Sequence, residues 1–290
     1  MTATRLLPAT FVVLWATGVI GAKAGVPYAE PFTFLALRFG LVIVVLTVVA
    51  LIFRAPWPRR RPALDAMVAG GLIHGLYLGG VFWAIDRGMP AGVSALILGL
   101  QPILTAVLAG LMLGERTRPR HWAGLGLGLA GLLLVLWPRF GDGAGGITLA
   151  TVSATLGAVA AITLGSIHQK RFGARMDLRT GSVFQYLGAL LVVGGAAWLG
   201  ESMAVDWTPA FMLSLGWLVL ALSIGAISLM MILIRDGSVS QAATYLYLVP
   251  GVSVLFAWLL FGEALSPVQL GGMVVTLIAV ALATGAGKVR

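Results

Sequence analysis

The residues able to do chemistry in this chain are few, and each stands in or beside an apolar run. Arg38 lies some eight residues into a run from Pro31 to Phe53, about 10 Å along a helix that rises 1.5 Å per residue. An ionisable group placed there is costly and points to function by default, although a pairing with a helix-end carbonyl or with Glu30 accounts for Arg38 equally well. Lys23, near the end of an earlier run, either serves function or reaches water along its own apolar stem. His74 falls in the middle of a third run, with Tyr77 three residues on and therefore on the same helix face. That pair reads either as a satisfied contact between helices or as cavity lining, where an imidazole could also carry a proton near neutral pH.

Two prolines interrupt later runs. Pro102 and Pro250 each remove one backbone hydrogen bond and free the carbonyl four residues earlier, those of Leu98 and Leu246. Freed backbone deep in such a run is tolerated only against protein or a watery cavity, so the prolines are packed kinks or hinges beside a cavity. Gln101, Thr163, Trp217, Ser223, Gln241, Thr244 and Tyr245 are the further polar or aromatic groups available as lining. None of the ten carboxylates falls in the middle of an expected helix. A bulky organic cation would want one there, because cation–π contacts alone give only about 0.5 to 2 kcal/mol each. A neutral or zwitterionic ligand, held by aromatic walls and a few polar groups, fits better. No cysteine is present, so disulfides, thiol nucleophiles and cysteine-ligated metals are excluded. His74, His121 and His168 lie on three different segments at three depths, without carboxylate company, and neither metal nor cofactor is expected.

The elements that carry these residues must be membrane-spanning helices. Hydrophobic residues make up 59% of the 290 and charged residues 10%, against roughly 25% charged in a soluble domain. Several runs reach about 20 residues without alternation, the length of a helix crossing a bilayer and unlike barrel strands. Ten segments are expected: Leu6 to Val26, Pro31 to Phe53, Ala63 to Ile85, Pro90 to Leu113, Arg120 to Trp137, Ile147 to Gln169, Thr180 to Leu199, Pro209 to Ile234, Val239 to Phe261 and Val268 to Thr284. Ala22-Lys23-Ala24 mimics a signal-peptide cleavage site, but the second half begins with a matching helix, so cleavage is not expected.

With the amino terminus inside, 15 of the 19 basic residues fall on the inner side, and only Lys23, Arg87 and Arg139 on the outer. Both termini are therefore expected in the cytoplasm, in the cell inner membrane. The net charge of +9 thus reflects topology, and nucleic acid is not expected as a partner. The expected partners are a small-molecule substrate and the lipid bilayer. Gly124 and Gly128, at helix spacing, are read as internal packing, which favours a monomer.

The chain contains one stretch twice. Pro102, Gly114, Glu115, Pro119 and Gly124 recur as Pro250, Gly262, Glu263, Pro267 and Gly272, at a constant offset of 148 (250 − 102 = 148). Arg87 with Arg235 and Gly40 with Gly188 keep that offset, while Gly18 with Gly165 and Lys23 with Lys170 fit 147. The glycine-rich joint Gly141 to Gly146 divides the halves, 1–143 and 144–290. Five helices per half is an odd number, so the halves sit upside down relative to each other. The fold class is an all-α polytopic membrane protein of ten helices in two inverted five-helix repeats. Such repeats place a binding site at their interface near the bilayer midplane.

On these residues the chain resembles the drug/metabolite transporter superfamily, in particular its ten-helix EamA-type exporters. The resemblance covers Trp15 to Lys23, Pro31 to Arg38, Pro102 to Gly124 and Pro250 to Gly272. It implies export of amino acids, metabolites or drugs by alternating access, with one branch handling aromatic amino acids, and it adds Trp15 to the candidate substrate-binding residues. The second half lacks a match to Trp15, and the counterpart of Arg38 is Tyr186, so an asymmetric site is expected. A broad drug or nucleotide-sugar carrier, an intramembrane enzyme on lipid-linked substrates and a non-transporting assembly subunit are the competing readings.

Overall fold

The computed structural model describes residues 3–113, 119–136, 146–172, 176–226, 229, 248–263 and 265–284. Among them the chain is helical apart from one isolated bridge between Ala29 and Val205. A helix satisfies its backbone groups within one segment, which a lipid-embedded chain requires. We number the helices α1 (Ala3–Gly25), α2 (Pro31–Ile52), α3 (Arg60–Asp86), α4 (Ala91–Leu98), α5 (Gln101–Leu113), α6 (Pro119–Leu136), α7 (Leu149–Phe172), α8 (Leu178–Gly200), α9 (Pro209–Ala226), α10 (Val249–Phe261) and α11 (Pro267–Thr284). Six of them, α1 to α3 and α7 to α9, are long and apolar enough to cross a membrane. Shorter apolar helices hold the fourth, fifth, ninth and tenth places. The Gly-Glu turn at Gly114 and most of the Gly141 to Gly146 joint lie outside the described residues.

Two local features depart from the simple segments. The fourth is not continuous: α4 ends at Leu98 and α5 begins at Gln101. Gly99 N–H bonds the carbonyls of Ala95 and Leu96, Leu100 N–H bonds Ile97, and the N–H groups of Ile103 and Leu104 both bond Leu100. These bonds pass over Leu98, whose i+4 donor would come from Pro102, which has none. The second departure is a π turn within α3, Gly71–Leu76, matched by a π turn in α9, Leu218–Ala226. Shifting the first by 148 puts it at 219 to 224, inside the second, so the irregularity belongs to the repeated design. His74 lies within that wider turn, and the 3.6-residue spacing expected to align it with Tyr77 does not hold there.

Helix packing repeats as well. Repeat-mates pack on each other, α2 on α8 and α6 on α11, as they must beside a pseudo-two-fold axis. Cross-half contacts come in matched pairs: α3 packs on α7 as α9 packs on α1, and α2 touches α9 as α8 touches α3. The α3–α8 crossing is a backbone contact, since a Cβ on Gly70 would stand 1.9 Å from the Gln185 carbonyl oxygen and one on Gly188 2.0 Å from that of Met67. Gly128 faces Leu100 and Ile103 of the same chain. The principal core is aromatic, with Phe34, Phe39, Phe82, Tyr186 and Phe211 buried together.

Loops tie the halves at one end of the bundle. Glu201 accepts from the N–H groups of Phe32 (2.8 Å) and Thr33 (2.7 Å) at the start of α2, where orphan donors and the helix dipole favour an anion. Glu30 in turn accepts from Ser202 N–H at 2.7 Å and its hydroxyl at 2.6 Å. Glu30 is thus engaged across the loops, and of the alternatives open for Arg38 a pairing with Glu30 does not occur.

Candidate functional site

A cavity of about 170 Å³ opens between the halves, lined by residues of both. Arg38 enters from α2, His74 and Tyr77 from α3, Tyr186 from α8 and Ser223 from α9. Arg38 donates from Nε (3.2 Å) and Nη2 (3.0 Å) to the Ser223 hydroxyl. It is 3% exposed, and its Nη1 has no hydrogen-bond partner among the described residues. His74 stacks on Tyr186, ring centroids 4.5 Å apart and planes 8° from parallel, while the Gln185 side chain bonds its imidazole. His74 is therefore both a satisfied interhelical group and part of the cavity wall, because its ring has one edge for Gln185 and a face for Tyr186.

The contacts follow the repeat. Arg38 and Tyr186 occupy equivalent places on α2 and α8, and each reaches the π turn of the opposite half, Arg38 at Ser223 and Tyr186 at His74. Ile73 and His74 of one widened turn and Leu222 and Ser223 of the other line the cavity. Symmetric backbone with different side chains gives an asymmetric site, cationic on one side and aromatic on the other.

Among the other expected residues, Trp15, Leu98, Gln101 and Pro250 line the cavity. Two do not. Thr163 is fully buried and accepts from the Thr105 hydroxyl at 3.5 Å, and Trp217 is 43% exposed with its indole N–H on Thr17 Oγ1 at 2.9 Å. Both face helix neighbours or lipid because their helices are rotated away from the cavity at those positions. Gln241, Thr244, Tyr245 and Leu246 lie outside the described residues, as does the side chain of Pro102. Tyr186 was not among the expected site residues. Its place at 148 from Arg38 was the signal that could have found it.

Two further polar contacts correct the sequence reading. Lys23 does not snorkel to water but pairs with Glu263, with its ammonium 5.0 Å from the Phe261 ring centroid. Glu263 also accepts from the N–H groups of Ala91 (3.3 Å) and Gly92 (3.2 Å), joining the end of α1, the start of α4 and the turn after α10. His168 does have carboxylate company, Asp65 Oδ1 at 3.6 Å from its Nε2. Among the described residues no group of three or more metal-ligating side chains converges.

Residues 5–137 and again 149–285 match the EamA-like transporter family. The chain belongs to the EamA-like family. Its relatives include "Uncharacterized transporter YvbV" of Bacillus subtilis (strain 168), 28% identical over 100% of this chain and 94% of the relative. "Uncharacterized inner membrane transporter YedA" of Escherichia coli (strain K12) is 26% identical over 94% of this chain and 87% of its own. A "Probable amino-acid metabolite efflux pump" of the same organism is 28% identical over 91% and 88%. A solved structure described as "Crystal structure of protein" superposes with a TM-score of 0.65 at 24% identity, covering 99% of this chain and 98% of that one, and shares the fold. The EamA-like chain is thus a multi-pass membrane protein of the two-repeat transporter fold.

Proposed function

We propose that this transporter exports amino acids, aromatic ones among them, and related small metabolites by alternating access. The observation that carries the reading is the cavity, which combines one guanidinium with aromatic walls and has no carboxylate among its described lining residues. Its volume of about 170 Å³ suits a single-ring molecule, since an engineered apolar cavity of about 150 Å³ holds benzene, and is small for a nucleotide sugar. A relative named as an amino-acid metabolite efflux pump agrees with that substrate class. Both termini are cytoplasmic in this reading, by the distribution of Lys and Arg, and the chain works as a monomer in the inner membrane, with halves 1–143 and 144–290 moving about the cavity.

The test is counterflow in proteoliposomes of the purified protein, with labelled phenylalanine, tyrosine, tryptophan and a panel of aliphatic amino acids. Saturable exchange of at least one aromatic amino acid is expected. Exchange no faster than in protein-free vesicles for the whole panel would overturn the reading.

A further inference from the structure

We infer that the cavity is a carboxylate site: Arg38 anchors the acid group of the substrate, and the substrate's amino group is dispensable for binding. The inference rests on the proposed transport site and names what that site recognises.

Arg38 is almost completely buried, yet no carboxylate pairs with it among the described residues. An arginine stays protonated in proteins, so it cannot escape burial by losing its charge. The Nε–Nη2 edge meets one hydroxyl, that of Ser223, and Nη1 has no hydrogen-bond partner among the described residues. A buried guanidinium left with an unsatisfied donor is costly, and a chain keeps such a group where a ligand completes it. The planar fork of arginine matches a carboxylate in particular, forming short charge-assisted bonds.

The rest of the wall sets the other half of the recognition. No described lining residue is acidic, so an ammonium group would meet only neutral groups such as the Gln101 amide and the Ser223 hydroxyl among them. Arg38 is the one arginine or lysine among the described lining residues, which balances one negative charge and not the two of a phosphate monoester. The stacked pair of His74 and Tyr186, with Trp15 and Phe82, offers ring faces for an aromatic body. Aromatic monocarboxylates should therefore bind whether or not they carry an amino group.

The experiment measures binding of L-phenylalanine, L-3-phenyllactate, phenethylamine and phenyl phosphate to the purified protein by isothermal titration. Removing the amino group should cost less than about tenfold in affinity, and removing the carboxylate about 10- to 150-fold. Arg38→Gln should weaken both acids by about 10- to 150-fold without weakening phenethylamine, whose ammonium no longer meets a like charge. Arg38→Lys, which retains the charge, should keep the acids ahead of the amine, and with the wild-type series it decides the matter if Arg38→Gln does not fold. Phenethylamine bound as tightly as phenyllactate, phenyl phosphate bound more tightly than either acid, a folded Arg38→Gln protein with wild-type acid affinity, or no saturable binding of either acid would overturn the inference. Acids that bind through Arg38 but do not cross proteoliposomes would leave the anchor standing and remove the export reading. Amino acids that cross with an affinity indifferent to Arg38 would do the reverse.

Discussion

Removing the negative charge at Glu263 should loosen the end of the bundle at which α1, α4 and α10 meet, the end proposed to face outside. Glu263 holds three donors, the Lys23 ammonium and the N–H groups of Ala91 and Gly92. In Glu263→Gln the amide oxygen can still accept from one N–H, but the ion pair and the favourable charge at the start of α4 are lost. A hydrogen bond between charged groups contributes about 1.5 to 3 kcal/mol, and an anion at a helix N-terminus about 0.3 to 1 kcal/mol. The Lys23 side chain is 32% exposed and that of Glu263 14%, so water screens part of this. A net loss of about 1 to 2 kcal/mol remains, which multiplies the population open at this end by roughly 5 to 30 if the contact exists only in the closed state. The chain has no cysteine, so a cavity residue changed to one, Met273→Cys, reports access without background. Its labelling by an impermeant maleimide from the proposed outer side should accelerate by that factor in Glu263→Gln. Lys23→Gln should act in the same direction but more weakly, because the bonds from Ala91 and Gly92 to Glu263 remain, and the double substitution should be less than additive because the ion pair is lost only once. Labelling unchanged in both single variants would show that this contact does not govern access to the cavity.

Gly188→Ala should destabilise the protein by about 1 to 3 kcal/mol or more, because its Cβ would stand 2.0 Å from backbone, whereas Gly126→Ala, with nothing among the described residues within 4 Å, should not lower thermal stability in detergent. His74→Ala should weaken binding of an aromatic substrate about five- to a hundredfold with folding retained, read by the same titrations, since it removes a polar ring face from the cavity wall. Asp177 caps α8 by accepting from Arg179 N–H at 2.9 Å, and the hydrogen bond from the Arg179 side chain holds its carboxyl below the usual carboxylate range. A depressed folded value means that its stabilisation is present above the unfolded value of about 3.9 and is lost as pH falls through the folded one. Asp177→Ala should therefore cost about 1 kcal/mol at neutral pH and progressively less in melts below about pH 4.

The sequence by itself determined the membrane class, the repeat and several of the cavity residues. A charge or a proline within a long apolar run is costly, so Arg38, His74 and Pro250 stood out without coordinates, and all three line the cavity. The offset of 148 carried more than it first showed, because it relates both the paired π turns and the placement of Tyr186 opposite Arg38. Tertiary structure decided what depends on helix rotation and on distance along the chain. Thr163 and Trp217 were plausible by type but turn away from the cavity, since a helix's facing is set by the neighbours it packs on. Lys23 and Glu263 are 240 residues apart, and Arg38 and Ser223 185, and nothing local marks either pair. A single chain records which residues are costly to bury, whereas which of them meet is fixed by the packing of one half against the other.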